Sequence, residues 1–367
     1  MTHSTVTDST GRGLASDFIE VAAEVNALES LVAILCDGTG TNVGWRLGLF
    51  VHVERELQRR LLLLSCTLHA NELPLRHLFT HCDGGHGTSG PDSFKGPIGQ
   101  ACATEVHLMD VVHFVAVESP LRDIEDQVVE DLSRDQLLLY KYVKAVAGGV
   151  VPRSLLTQKI GGLNHSRWLT LGIRILALYT RTSEPSAGLC SLVEYIQTVY
   201  APIWFEIKSK PNFVNGPPTL FLQMKLVMKL KPEVRDIVQP VIQRNGWMAE
   251  PGIMLCAMLS SKDKVVREKG VKLILQRRRK PLPKPRAKIL CGIRKIEVPS
   301  LQWEAPSWEE IIDWKVTKYW EPAIIEKFTK DDLENTKNSP VIFPTFPQHS
   351  QTVERAVKLV SDASSQV

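Results

Sequence analysis

The chain has 367 residues, 44% apolar and 23% charged, enough to bury a sizeable core and to divide into two or three domains. Its net charge of +4 is too small to argue for a polyanionic partner by itself. Seven cysteines without paired spacing exclude a disulfide scaffold, and the polar first residues carry no secretory signal; no apolar run is long enough to span a bilayer, so an intracellular chain with no membrane partner is expected.

Residues 31–36 (LVAILC) form an apolar run ending in Asp37-Gly38, the pattern of a buried strand followed by a turn. Between Asn42 and Arg60, apolar residues recur at helical spacing, and a second apolar run, 61–68, reads as another strand ending at His69. Strand, helix and strand in that order predict a βαβ unit with two parallel strands, placing Asp37 and His69 just past their C-terminal ends. Residues 83–99 hold six glycines and two prolines and read as a loop, without either Gly-rich phosphate-binding pattern. Helical signals dominate from Ala101 to Val266, over 121–147, 167–179 and 188–200 among others. A basic segment, 277–288, carries seven Lys/Arg and no acid, and a tryptophan-rich stretch at 303–320 follows it, with a capping-box signature at Ser307 and Glu310. Residues 338–349 are proline-rich, and a final helix is expected over 350–367.

Several residues invite a chemical reading beside a bland one. Asp37 at a strand end is a ligand type for a hard divalent cation, yet Asp-Gly is also a common turn pair. Cys66-x2-His69 followed by His77 and His81 has zinc-like spacing, but the apolar residues Leu73, Leu75 and Leu78 ask for burial of the same helix, so structural zinc is the weaker reading. Arg167-Trp168, opening an amphipathic helix, is either a core tryptophan with a solvated arginine or a platform for stacking a base. Glu354-Arg355 is either a surface pair or a carboxylate leaning over the sheet edge. The acids between Glu118 and Asp135 read as a solvated helix face. Arg277, Arg278, Arg279 and Lys280 head the basic segment, which suits a nuclear import signal or a phosphate-contacting arm.

The order of these landmarks resembles the hAT superfamily of DNA transposases. Asp37-x4-Asn42 at a strand end, then a helix, then Cys66-x2-His69 with Asn71, is similar to the second-aspartate region of that family. Arg167-Trp168 is similar to the start of its helical insertion domain, and Glu354-Arg355 to its closing motif. The resemblance implies an α/β fold: an RNase H-like mixed sheet, incomplete here, interrupted by a large α-helical insertion domain. In its terms residues 1–82 are a partial RNase H-like core, 83–104 a Gly-rich loop, 105–337 the insertion with basic segment 277–288, and 338–367 a Pro-rich stretch and core helix.

By the same resemblance Asp37 and Glu354 are the second and third metal-binding acids of a triad holding Mg²⁺ or Mn²⁺. His69 lies near the scissile phosphate and Trp168 stacks on a distorted base. The chain resembles such a transposase cut short at both ends. Neither Asp8 nor Asp17 sits where the first acid belongs, and two acids of three leave a site with too little charge. A catalytically inactive, nuclear, DNA-binding protein is therefore expected, with homo-oligomerisation left open. An active metal-dependent nuclease and a non-catalytic helical protein-interaction scaffold are the alternatives.

Overall fold

A computed structural model describes residues 8–44, 46–59, 61–163, 167–243, 248, 251–279 and 323–345. In chain order its elements begin with α1 (Gly11–Glu24), β1 (Ala33–Cys36), α2 (Gly40–Val43), α3 (Leu49–Leu57), β2 (Leu62–Ser65), α4 (Thr67–Cys82), α5 (Pro97–Ala103), α6 (Asp126–Glu130) and α7 (Arg134–Gly148). They continue with α8 (Arg153–Leu156), α9 (Arg167–Tyr179), α10 (Ala187–Tyr195), a π-helix (Ile196–Tyr200), α11 (Ala201–Ser209), α12 (Gly216–Val227) and α13 (Pro232–Gln243). The last are α14 (Pro251–Leu259), α15 (Lys264–Arg278), α16 (Ala323–Glu326) and α17 (Lys330–Thr336). The chain divides into two units, one of residues 1–69, 211–220 and 244–367, the other of 70–210 and 221–243.

The expected RNase H-like mixed sheet is not what the chain builds. Among the described residues the sheet has two strands, and the fold is mostly helical. The physical reasons are local. Ahead of β1 the chain forms an amphipathic helix, α1, started by Thr10, whose hydroxyl accepts the Gly13 N–H at 3.1 Å. The second apolar run leaves strand geometry after Ser65, and Thr67 onward coils into α4 with Pro74 inside it. The run Ile253–Leu259, apolar on every side, is part of α14.

In the first unit β1 and β2 are parallel, in register Ala33↔Leu62 through Cys36↔Ser65, with α2 and α3 as the crossover. One cluster of Ala15, Ile34, Phe50, Val53, Leu61 and Leu63 packs α1 and α3 on the strand pair. Gly11 permits that approach, since a Cβ there would lie 2.2 Å from the Leu47 carbonyl oxygen. Elsewhere in this unit α15 shows two faces. Arg267, Gly270, Val271 and Ile274 are buried, while Val265, Glu268, Lys269, Lys272 and Gln276 are exposed. The buried Arg267 guanidinium donates to the carbonyls of Ser261, Lys262, Thr336, Lys337 and Asn338 at 2.8–3.4 Å. It thereby ties α15 to the end of α17.

The second unit is built on α7, α9, α10, the π-helix and α11. Leu138, Leu139, Val143, Ile173, Leu176, Leu192 and Val193 are among its buried residues. α7 starts with a reciprocal Ser133–Gln136 capping box and stops at Gly149, whose left-handed φ of 71° suits a residue without a Cβ. The π-helix withdraws carbonyls from the α-helical ladder, and two of them are met by side chains. Ser119 Oγ donates to the Gln197 carbonyl at 2.6 Å, and Asn71 Nδ2 to the Tyr200 carbonyl at 3.0 Å.

Residues 110–125, whose second half was expected to be helical, have no regular structure. They are strapped to the helices by long-range bonds. The Val112 and Val117 N–H groups donate to the carbonyls of Thr180 and Val146, and Tyr179 Oη donates to the Val115 carbonyl at 2.9 Å. Glu118, Asp123 and Glu125 thus lie on an extended strap, and of the acidic run only Asp126, Glu130 and Asp135 fall on helices.

Candidate functional site

The strand ends of the first unit carry the candidate site. Asp37 follows β1 directly, and its Oδ1 accepts the Thr39 N–H at 3.0 Å and the Asn42 Nδ2–H at 2.7 Å. The Asp-x4-Asn spacing therefore becomes a direct hydrogen bond, because α2 folds Asn42 back over the turn. His69 lies in the first turn of α4, at the end of the neighbouring strand. A Cβ built on Gly38 would be 3.2 Å from His69 Cδ2 and 3.6 Å from Ser65 Oγ, so glycine makes room for the imidazole there. Partial burial raises the Asp37 carboxyl pKa, but the hydrogen bonds from Thr39 and Asn42 and the charge of His69 outweigh it. The group is held below its ordinary value.

Chemically this is one ionised, exposed carboxylate with an imidazole beside it. The thiol of Cys36 is a poor nucleophile, because burial, with Asp37's charge behind it, pushes it up to about 12. Mg²⁺ or Mn²⁺ requires several oxygen ligands. Among the described residues no three His, Cys, Asp or Glu converge as a metal-binding group. Among the described residues Asp37 is thus the one carboxylate at this strand end, and its Oδ1 already accepts two N–H donors.

Of the residues singled out from the sequence, Asp37 and His69 come together. Glu354 and Lys280 lie outside the described residues, as do the tryptophan-rich stretch, Ser307 and the final helix. Arg167 and Trp168 are the first two residues of α9, in the second unit, with side chains outside the described set. Arg277 and Arg278 end α15 and Arg279 caps it. Arg278 donates to the carbonyls of Phe328 at 2.8 Å and Ile325 at 3.0 Å.

Pattern reading missed two buried groups in the second unit. Asp83, at the head of the Gly-rich loop, is fully buried and accepts the N–H groups of Ile98 and Gly99 at 2.8 and 3.0 Å, where a carboxylate stabilises the start of α5. Arg174 is 4% exposed and donates to the carbonyls of Cys102, Thr104, Ile160 and Gly161. It underlies an open cleft of about 430 Å³, lined also by Phe94, Glu105 and Leu163. The only sequence signal for either was a charge inside an otherwise apolar or glycine-rich run.

No helix among the described residues is long and apolar enough to cross a membrane. No family model, curated protein or solved structure matches the chain.

Proposed function

We propose that the chain is a transposase-derived DNA-binding protein that does not cut DNA. The observation that supports this reading best is the Asp37–Asn42–His69 arrangement at the ends of two parallel strands joined by a helical crossover. It keeps the order of a second-aspartate region, and in this reading the first of the three acids that phosphodiester chemistry needs is missing. Binding then rests on phosphate neutralisation, which is independent of base sequence and steeply weakened by salt. In the same reading the run 277–288 serves as a nuclear import signal. A second reading, a helical protein-interaction scaffold, is favoured by the mostly helical architecture.

Fluorescence anisotropy of the full chain with a random-sequence duplex, titrated with salt, separates the two. Weak binding lost as salt rises, with no strand nicking in Mg²⁺ or Mn²⁺, is the expected result. Absence of binding at low salt points to the scaffold. Metal-dependent nicking abolished by Asp37→Ala makes the chain an enzyme and defeats the inactive reading.

A further inference from the structure

In the second unit the cleft of about 430 Å³ opens between three stretches of chain. These are Ser93 and Phe94 of the Gly-rich loop, Ala103 and Glu105 at and after the end of α5, and Gly162 with Leu163. Arg174 of α9 ties the last two together. Its Nη1 donates to the carbonyls of Cys102 and Thr104 at 2.7 and 2.6 Å, its Nε to that of Gly161 at 2.7 Å, and its Nη2 to that of Ile160 at 3.4 Å. The loop wall is fixed separately. The Phe94 ring packs edge-on against Phe79, centroids 5.7 Å apart, and its N–H donates to the Gly87 carbonyl at 2.9 Å. Phe94 is held at a left-handed φ of 58°, where a bulky side chain is rare. Walls set in this way lower the ordering cost of binding a ligand.

Two opposite charges line the cleft. The Arg174 guanidinium is 4% exposed, yet its partners are neutral carbonyls, and among the described residues no acid lies within ion-pair distance of it. A buried cation without an anion is costly, and Nη2, with its one long bond, keeps an N–H to spare. Glu105 stands on the rim, its side chain 59% exposed and its Oε2 3.2 Å from Nδ1 of His107, which leaves Oε1 for a cationic group. An anion alone would meet repulsion from Glu105, and a cation alone repulsion from Arg174. A molecule carrying both charges satisfies both, and the mostly polar walls, with the Ser93 hydroxyl among them, suit a polar body.

We infer that this cleft binds a small polar zwitterion of the α-amino-acid class, its carboxylate on Arg174 and its ammonium on Glu105. The site stands apart from the DNA-binding reading and does not depend on it. Isothermal titration calorimetry of the full-length chain tests it with L-glutamine, with glutaramate, which lacks the ammonium, and with 4-aminobutanamide, which lacks the carboxylate. The expected result is saturable binding of glutamine, with each analogue weaker by about tenfold or more, as loss of a charge-assisted bond requires. Glu105→Gln should weaken glutamine by about tenfold or more while leaving glutaramate no weaker. Ala103→Trp, at an exposed position on the wall, fills the cleft without removing either charge and should abolish binding. Circular dichroism melts show whether both variants fold, and if the tryptophan variant does not, Glu105→Gln decides alone. No saturable heat from glutamine up to about 10 mM overturns the inference, as does binding that survives Ala103→Trp in a folded variant. Glutaramate bound as tightly as glutamine, with glutamine indifferent to Glu105→Gln, overturns it too and leaves a plain anion site.

Discussion

Replacing Arg267 by methionine keeps the aliphatic stem of the side chain and removes only the guanidinium. That group is 5% exposed and serves five carbonyl oxygens, those of Ser261 and Lys262 before the start of α15 and those of Thr336, Lys337 and Asn338 at the end of α17. Each buried carbonyl left without a donor costs about 1–3 kcal/mol, and loosening of the 336–338 segment lets water reach some of them. If two or three remain dry, the loss is about 4 kcal/mol, a large part of the roughly 5–15 kcal/mol that holds a domain folded. At about 2–4 °C per kcal/mol the melting temperature falls by about 8–16 °C. Arg267→Lys retains the charge but not the planar fork, so it falls between parent and Arg267→Met. Urea denaturation of the three proteins measures the series, and limited proteolysis detects release of residues 336–345. A methionine variant within about 1 kcal/mol of the parent, with that segment still protected, refutes the reasoning, because carbonyls so easily given up were not held by Arg267.

Three further outcomes follow from other groups. Asp37 has a folded pKa below its unfolded one, so its contribution to stability is present above the ordinary value of 3.8 and is lost as pH falls through the folded value. Asp37→Asn should therefore lower stability near neutrality, flatten the acid limb of the stability curve and converge with the parent at low pH, whereas an Asp37 carboxyl titrating by NMR above 3.8 contradicts the hydrogen bonding described. Tyr195 is fully buried, and its hydroxyl meets no protein partner among the described residues. Tyr195→Phe should therefore be neutral or stabilising by up to about 1 kcal/mol, and a loss above about 1.5 kcal/mol would reveal a bridging water. The thiols of Cys36 and Cys102, both pushed up to about 12, chiefly by burial, should resist a disulfide reagent at pH 8 until urea unfolds the chain. Alkylation mapped to either cysteine in the folded protein at the rate of a free thiol contradicts that burial.

The strand–helix–strand unit was legible because its two apolar runs are short and bounded by turn chemistry at Asp37-Gly38. The end of the second run was not. Leu68 is as buried in α4 as it would be in a strand, so hydrophobicity alone cannot mark the change at Ser65. The strap at 110–125 was hidden for a different reason. Its partners, Thr180, Tyr179 and Gln197, lie some 60–80 positions further along the chain, beyond any local periodicity. The closeness of Asp37 and His69 was legible because each follows the end of one of two paired parallel strands. The bonds of Arg278 to the carbonyls of Ile325 and Phe328 were not legible, because a run of cations gives no hint that one of them turns back onto the chain.

The π-helix at Ile196–Tyr200 holds one residue more than an α-helical turn needs while keeping the helices on either side of it in phase. An α-helix advances about 100° per residue, and a turn of π geometry accommodates an extra residue without breaking the rod. Deleting one residue from 196–200 would let the turn relax to α geometry with α10 and α11 still nearly in phase. The same deletion would draw the carbonyls of Gln197 and Tyr200 back into the helical ladder, leaving Ser119 on the strap and Asn71 on α4 without their acceptors. A conservative substitution at these positions disturbs one contact, whereas a single-residue deletion unfastens two segments distant in sequence. Here the number of residues is under tighter constraint than their identity.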